Sequence, residues 1–271
     1  MKTPSAFIKE ELNIKRFVIP YRVYGNGGPQ LVFLNGVQQS MAMWQSFISR
    51  FSGDYRIVLF DFPGQGKAQI LTGSVNVSLD EQVEILSQVI IRTGVENITL
   101  ISASWGGVVA MAYASRYPQM VRRLILAGMG TKPNQKMIET IEKGCQIDSN
   151  ERQEMARVLF ESFGRNLPPK IKERIFKQFC TMSKENLCAF RDHGLFVISK
   201  KLNDVIDFKS IKVETILLNG ENDTIIDLDD VKFLAEQIPN CRLKIIKNVG
   251  HFLHLENEDV LEIYREVLPA V

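Results

Sequence analysis

Three polar residues that lie far apart in the chain could together perform nucleophilic chemistry: Ser104, Asp223 and His251. A serine hydroxyl is a weak nucleophile at neutral pH and needs a base within hydrogen-bond contact. Histidine titrates near neutrality, so it can take that proton and return it to a leaving group. A carboxylate fixes the tautomer of the imidazole and stabilises its charged form. We therefore expect Ser104 as nucleophile, Asp223 as acid and His251 as base, in a chain order that such triads adopt.

The surroundings of Ser104 support its assignment as nucleophile. It lies in Ser102-Ala103-Ser104-Trp105-Gly106-Gly107, between an apolar run, Asn97–Ile101, and a helix-like run, Val108–Tyr117. A strand, a sharp turn and a helix form the nucleophile elbow, whose usual pattern is Gly-x-Ser-x-Gly. Here Ser102 replaces the first glycine, which the turn tolerates because it requires only small residues at its flanks.

The acid and the base each have competitors nearby. Asp223 directly follows the apolar run Glu214–Leu218, whereas the other candidate acids lie further on: Asp227, Asp229 and Asp230. His251 follows Gly250 and the run Arg242–Ile246, and His254 reads as a packed or solvated neighbour. A metal site formed by His251, His254 and Glu256 is an alternative use of this segment, but we expect no metal and no other cofactor.

An acyl-transfer site also needs donors for the developing oxyanion. The backbone N–H of Trp105, directly after the nucleophile, is one candidate. The N–H of Val37 is the second, because it lies in the turn Asn35-Gly36-Val37 after the apolar run Leu31–Leu34. We expect Asn35 and Gly36 of this turn to contact the substrate.

Short apolar runs alternate with helical patterns through most of the chain. The apolar runs are typical of strands buried in a parallel sheet with helices on both faces. One or two further strands are predicted in residues 6–24. The remaining predicted strands and helices are Leu31–Leu34, Met41–Phe51, Tyr55–Phe60, Leu79–Arg92, Asn97–Ile101, Val108–Tyr117, Arg123–Ala127, Glu214–Leu218, Asp229–Gln237, Arg242–Ile246 and Asp259–Val267. The turn Asp61–Lys67 lacks the glycine spacing of a phosphate loop, and Gly25–Pro29 lacks that of a dinucleotide site.

The alternation stops in residues 131–208, which contain only helical patterns: Lys136–Gln146, Glu151–Phe163, Pro169–Thr181 and Lys184–Lys201. We predict a helical lid inserted into an α/β core formed by residues 1–130 and 209–271. Such a lid would line the substrate pocket, where His193 is a candidate binding residue. Its basic residues Lys170, Lys172, Arg174 and Lys177 form either a solvated helix face or a dock for an acidic partner.

Composition excludes several classes. A net charge of +2 over 271 residues is too balanced to indicate nucleic-acid binding. No apolar run reaches the ~18 residues that span a bilayer, and no apolar stretch of a secretory signal follows Met1–Ser5. The four cysteines are widely spaced, which fits reduced thiols in a cytoplasmic protein: Cys145, Cys180, Cys188 and Cys241.

Over nearly its full length the chain resembles enzymes of the α/β-hydrolase fold. It is similar in particular to 3-(3-hydroxyalkanoyloxy)alkanoate synthases, which make the lipid precursor of rhamnolipids, and to 3-hydroxyacyl-carrier-protein:coenzyme A transacylases. The matching stretches are Leu34–Gly36, Ile57–Asp61, Ser102–Gly107, Leu218–Asp223, Gly250–Leu253 and Leu255-Glu256. The resemblance implies an acyl-enzyme on Ser104, formed from a 3-hydroxyacyl thioester of acyl carrier protein, with a second hydroxyacyl group or coenzyme A as acceptor.

Two other functions stay open. Water could be the acceptor, which would make the protein a carboxylesterase or thioesterase, because sequence does not report the exclusion of water. A receptor or silent binding module on the same fold is the third alternative, although an intact triad argues against it.

Overall fold

The computed structural model describes residues 7–148, 150–199 and 201–271. Within these ranges nine strands form one sheet. Their bounds are β1 Ile8–Ile14, β2 Phe17–Tyr24, β3 Gln30–Leu34, β4 Arg56–Phe60, β5 Gln69–Ile70, β6 Ile98–Ala103, β7 Val121–Ala127, β8 Glu214–Gly220 and β9 Cys241–Ile246. Residues 6–24 thus contain two strands from Ile8 onward, and Ala6 lies outside the described residues, as does the Met1–Ser5 segment.

The strand order is β1-β2-β4-β3-β6-β7-β8-β9, with the short β5 paired to β2. The six strands β4, β3, β6, β7, β8 and β9 are parallel to one another, while β2 pairs antiparallel with β1, β4 and β5. The central strands are apolar and almost fully buried, because a parallel sheet is covered on both faces. The predicted α/β fold with a mostly parallel sheet is confirmed.

Helices cover both faces of the sheet. Their bounds outside the inserted segment are α1 Gln45–Phe51, α2 Leu79–Thr93, α3 Trp105–Arg116, α8 Leu228–Gln237 and α9 Val260–Val267. One apolar core contains side chains of α2, α3 and α8, including Val83, Val109 and Leu234. A second core, on the other face, contains side chains of α1 and α9, including Phe47 and Tyr264. The sheet therefore separates two cores and fixes the ends of its strands between them.

Four helices connect β7 to β8: α4 Gln135–Gln146, α5 Arg152–Ser162, α6 Pro169–Cys180 and α7 Lys184–Ser199. They contain a small apolar core of their own, with Met155, Leu159 and Phe179 among its members. The two ends of this segment lie close together, because the backbone N–H of Leu202 donates to the carbonyl of Thr131 at 3.2 Å. The observed helices follow the predicted ones closely. Lys200, which belongs to the predicted helix Lys184–Lys201, lies outside the described residues.

The four cysteines are all free and partly buried. Among the helices of the described ranges, none combines the length and the apolar character that crossing a membrane requires.

Candidate active site

Ser104 occupies a strained turn between β6 and α3. Its backbone has φ 47° and ψ −123°, and helix α3 begins at the next residue, Trp105. A positive φ is rare for a residue with a side chain and persists only where the surroundings enforce it. The N–H of Ser104 donates to the carbonyl of Ala127 in the neighbouring strand at 2.8 Å. This geometry is that of a nucleophile elbow, with the hydroxyl presented at the end of the sheet.

The small residues around Ser104 are required by close backbone contacts. A Cβ on Gly106 would lie 2.5 Å from the carbonyl oxygen of Leu34 and 2.8 Å from that of Asn35. Backbone atoms cannot move aside as a side chain can, so only glycine fits at this position. Ser102 is fully buried in β6, beside Gly107. The strand and the helix can therefore approach closely enough to hold the turn.

Asp223 and His251 are brought together across 28 positions of sequence. Asp223 follows β8 and His251 follows β9, and the Nδ1 of His251 lies 2.9 Å from an Oδ of Asp223. The other Oδ of Asp223 accepts the backbone N–H groups of Ile225, at 2.8 Å, and Ile226, at 3.1 Å. Both side chains are almost completely buried. The aspartate is thus oriented by the backbone and in turn orients the imidazole.

The electrostatics of this pair favour a charged imidazole beside a charged carboxylate. Burial opposes charge on His251, but the charge and the hydrogen bond of Asp223, together with the nearby Glu256, raise the pKa of His251 above its ordinary value. Burial also opposes charge on Asp223, yet His251 and the two backbone donors hold the pKa of Asp223 below its ordinary value. A base that is stabilised when protonated is suited to taking the proton of a serine.

Ser104 and His251 line the same pocket. The hydroxyl of Ser104 and the imidazole are not hydrogen-bonded to each other in the described residues. Such contacts are often long before substrate binds and shorten in the complex. The competing residues have other partners: Asp230 accepts from Thr131, Asp227 from Asn134, Asp229 from Lys232, and His254 Nε2 lies 3.1 Å from the carbonyl of Met43.

The turn after β3 lies beside the elbow. Gly36 is held there by its own N–H, which donates to the side chain of Gln39 at 2.7 Å. The backbone N–H groups of Val37 and Trp105 have no other hydrogen-bond partner among the described residues. Val37 also lines the pocket that contains Ser104. The arrangement could supply two donors to an oxyanion, with Trp105 at the positive end of α3, and the assignment of Val37 and Trp105 to that role stays a prediction.

Asn35 differs from the expectation that it contacts the substrate. Its side chain is fully buried and points away from the pocket. The amide donates to the carbonyl of Phe60 at 3.1 Å and to Asp61 at 3.2 Å, and the Oδ1 of Asn35 accepts from the indole of Trp44 at 2.8 Å. All of its polar groups therefore stabilise the turn, and its side chain has none left for a ligand.

Asp61 completes this network and was not identified as a site residue from the sequence. It is buried and accepts the backbone N–H of Met41 at 2.7 Å and that of Lys67 at 3.1 Å, besides the amide of Asn35. Burial raises the pKa of Asp61, against the effect of these donors. One carboxylate thus connects the turn that carries Val37 to the loop after β4.

The pocket above Ser104 has a volume of about 220 Å³. Most of its lining is apolar and comes from α4 to α7: Met137, Ile141, Leu159, Phe160, Phe163, Ile175, Phe179 and Phe190. His193 of α7 also lines it and packs edge-on against Trp105, with 4.1 Å between ring centroids. The Nε2 of His193 is buried and has no hydrogen-bond partner among the described residues, and burial lowers the pKa of His193 to about 4. The pocket therefore combines an apolar wall with one neutral imidazole.

The side chains of the described ranges form no group of three or more His, Cys, Asp or Glu that could hold a metal ion. The segment considered for a metal is used otherwise: His254 stacks on Trp44, and Glu256 accepts the backbone N–H groups of Gly250 and Phe252.

Comparison of the sequence with known proteins identifies the family of the chain. The sequence profile of the alpha/beta hydrolase fold matches residues 29–184. An (R)-3-hydroxydecanoyl-ACP:CoA transacylase of Pseudomonas putida is 21% identical over 241 residues, covering 88% of this chain and 81% of the relative. A 2-hydroxy-6-oxononadienedioate/2-hydroxy-6-oxononatrienedioate hydrolase of Escherichia coli is 26% identical over 270 residues, covering 94% and 92%.

Solved structures of low sequence identity share the fold. An enol-lactonase of Burkholderia xenovorans has a TM-score of 0.80 at 16% identity, over 95% of this chain and 98% of that one. A carboxylesterase of Bacillus subtilis has a TM-score of 0.79 at 18% identity, over 99% and 94%. With the profile spanning more than half of the sequence, the chain belongs to the α/β hydrolase fold family, an enzymatic superfamily that includes hydrolases and acyltransferases.

Proposed function

We propose that the protein is a serine acyltransferase that works through an acyl-enzyme, with Ser104, Asp223 and His251 as its triad. The observation that carries the proposal is the buried contact of 2.9 Å between His251 and Asp223, at the pocket that also contains the strained Ser104. This combination of nucleophile, base and orienting acid is that of triad enzymes on unrelated folds.

In the proposed reaction, the Oγ of Ser104 attacks the carbonyl carbon of the acyl donor and its proton passes to the Nε2 of His251. The backbone N–H groups of Val37 and Trp105 stabilise the negative charge on the carbonyl oxygen. The intermediate then expels the thiol, which takes the proton from His251, and the acyl group remains on Ser104. In the second half, His251 takes a proton from the acceptor, whose oxygen or sulfur attacks the carbonyl carbon of the acyl-enzyme. His251 then returns the proton to the Oγ of Ser104 as the bond between Oγ and the acyl carbon breaks.

We further propose that the acyl group is a fatty 3-hydroxyacyl chain. The apolar wall formed by α4 to α7 suits the hydrocarbon part of such a chain, because burying each methylene contributes about 0.8 kcal/mol. The neutral imidazole of His193, with its unpartnered Nε2, suits the hydroxyl group. The similarity to (R)-3-hydroxydecanoyl-ACP:CoA transacylases supports the same chemistry.

An acidic carrier protein is the donor that the entrance of the pocket favours. Arg174 is the only residue of permanent charge that lines the pocket among the described residues, and it is exposed. Lys170 and Lys177 lie four residues before it and three after it, on the same face of α6. Neither these three cations nor Glu173, the one acid of α6, forms an ion pair in the described ranges. The positive charges of Lys170, Arg174 and Lys177 are therefore available to an acidic surface of a partner.

A hydrolase acting on esters or thioesters is the second candidate. It would use the same acyl-enzyme with water as acceptor, and the hydrolases and esterases among the similar proteins favour it. A cytoplasmic location belongs to the proposal as well, on the basis of the four free thiols.

The deciding experiment supplies purified protein with a medium-chain 3-hydroxyacyl carrier protein, with and without coenzyme A. Products are identified by mass spectrometry beside a Ser104→Ala control. A dimeric hydroxyacyl ester or a coenzyme A thioester that is absent from the control would support transfer and identify the acceptor. Free acid alone would assign the protein to the hydrolases. Equal turnover by Ser104→Ala would overturn the proposal in both forms.

A further inference from the structure

Glu256 holds the backbone on both sides of His251. One of its carboxylate oxygens accepts the N–H of Gly250 at 2.6 Å, and the other accepts the N–H of Phe252 at 3.0 Å. Both donors are neighbours of His251 in sequence, so a single side chain fixes the peptide groups that flank the imidazole. A carboxylate is the one side chain with two equivalent acceptor oxygens for this purpose.

The segment that Glu256 closes has little regular structure of its own. After β9 ends at Ile246, only a short 3-10 turn, Leu253–Leu255, separates His251 from Glu256. Leu253 has a φ of 35°, which is unusual for a residue with a side chain. The Cβ that an alanine would place at position 250 would lie 3.0 Å from Glu256, so the approach depends on the glycine there. Backbone hydrogen bonds from Leu255 to Phe252 and from Glu256 to Leu253 close the turn itself, whereas the N–H groups that flank His251 are held by the side chain of Glu256.

The imidazole is thereby fixed at two independent places. Asp223, from the loop after β8, controls the ring through Nδ1, and Glu256 controls the backbone from which the ring extends. Catalytic groups need this support, since a displacement of about 1 Å can cost on the order of 100-fold in rate.

We propose that Glu256 is a positioning residue for the general base: it clamps the peptide groups on both sides of His251 and so directs the imidazole at Ser104. The inference rests on the proposed function only in assigning His251 as the base of Ser104. The role predicts slower chemistry without weaker binding when the clamp is removed, since Glu256 does not line the pocket.

The charge of Glu256 should affect the pH dependence of the rate, which a purely structural role of its side chain would not do. The charged or titratable groups that act on His251 are Asp223 and Glu256, and the hydroxyl of Ser104 faces it across the pocket. Both carboxylates raise the pKa of His251. Loss of the Glu256 charge must therefore move the acidic limb of the pH–rate profile toward lower pH.

The test compares Glu256→Gln with Asp230→Asn, a matched control. Asp230 also accepts two backbone N–H groups, those of Thr131 at 2.6 Å and Lys132 at 3.2 Å, and does not line the pocket. Two rates are measured against pH for each variant: labelling of Ser104 by a fluorophosphonate, and hydrolysis of a p-nitrophenyl ester. Neither requires the natural donor or acceptor to be known.

For Glu256→Gln we expect kcat to fall about 10- to 100-fold with little change in KM, and the acidic limb to shift to lower pH. Asp230→Asn should lower thermal stability and leave the limb where it is. Glu256→Asp retains the charge on a shorter side chain, so it should lose rate while keeping the limb, and it serves as the second variant if the glutamine variant does not fold.

A folded Glu256→Gln with wild-type kcat and an unmoved limb would overturn the proposal. An equal shift in Asp230→Asn would also overturn it, because the effect would then be unspecific. Failure of the wild-type protein to label Ser104 at any pH is a different result, which refutes the proposed triad and not the clamp alone.

Discussion

The burial of His254 predicts how the folding stability of the protein depends on pH, because its ring is enclosed by aromatic side chains. It stacks on Trp44, with 5.1 Å between centroids and 16° between planes, and meets the edge of Phe47 at 4.9 Å. Only 4% of its surface is exposed, and within the part of the chain that the structure describes its ring has one polar contact, with the carbonyl of Met43. Burial lowers the pKa of His254 to about 4 from an ordinary value of 6.5. The folded protein therefore resists a proton that the unfolded chain accepts.

The sign and size of the effect follow from this difference. Above pH 6.5 the histidine is neutral in both states and costs nothing; between 6.5 and about 4 the unfolded state binds the proton first, and folding stability is lost. Each pH unit within that window removes about 1.4 kcal/mol. Between pH 7.5 and pH 5 we therefore expect His254 to remove about 2 kcal/mol from the free energy of unfolding.

The assay is urea unfolding of the wild type and of His254→Phe at these two pH values. Phenylalanine keeps the aromatic packing and cannot titrate, and all other titrating groups are common to both proteins. The variant loses the contact with Met43, so it should be less stable at pH 7.5, but its deficit should shrink or reverse by about 2 kcal/mol at pH 5. A wild-type-minus-variant difference that stays constant across this range would refute the reasoning.

Three further predictions concern the turn and the pocket. Gly106→Ala should cost about 1–3 kcal/mol in thermal unfolding and also lower kcat, because its Cβ would lie 2.5 Å from the carbonyl of Leu34. Asp61→Ala should cost about 1–3 kcal/mol in urea unfolding at pH 7, because it leaves the buried N–H of Met41 without an acceptor and removes one acceptor each from the Asn35 amide and the Lys67 N–H. It should also lower kcat more than it raises KM, a split that steady-state kinetics would measure. His193→Phe should reduce the preference for 3-hydroxyacyl over unsubstituted acyl esters of equal length, measured as the ratio of kcat/KM values, whereas an unchanged ratio would remove the hydroxyl from its proposed role.

The sequence was informative where structure depends on local pattern. Apolar runs located the central strands, because a strand buried on both faces has few polar positions. The small residues around Ser104 predicted the sharp turn that the structure contains between β6 and α3. The start of α3 was predicted three residues late, at Val108 and not at Trp105, because Gly106 and Gly107 disguise a helix whose first turn packs against the backbone.

Contacts between residues that are far apart in the sequence could not be predicted from local patterns. Asn35 was predicted to meet the substrate because it lies in the turn, yet its partner Asp61 is 26 positions away and directs it inward. Glu256 was considered from the sequence only as an alternative metal ligand, because its actual partners are backbone N–H groups, which look the same in every residue. A polar side chain is thus assigned to ligand or to scaffold only when its partners are known.

The hydrogen bond between Leu202 and Thr131 has a consequence for how the protein can evolve. Because the four helices leave the sheet and return to it at nearly one point, the chain between them can be lengthened, shortened or exchanged without altering the spacing of β7 and β8. The wall of the pocket can then diverge while the strands that precede Ser104, Asp223 and His251 stay in register. We therefore expect changes in this segment to alter the lining of the pocket and to leave the three residues of the proposed triad in place.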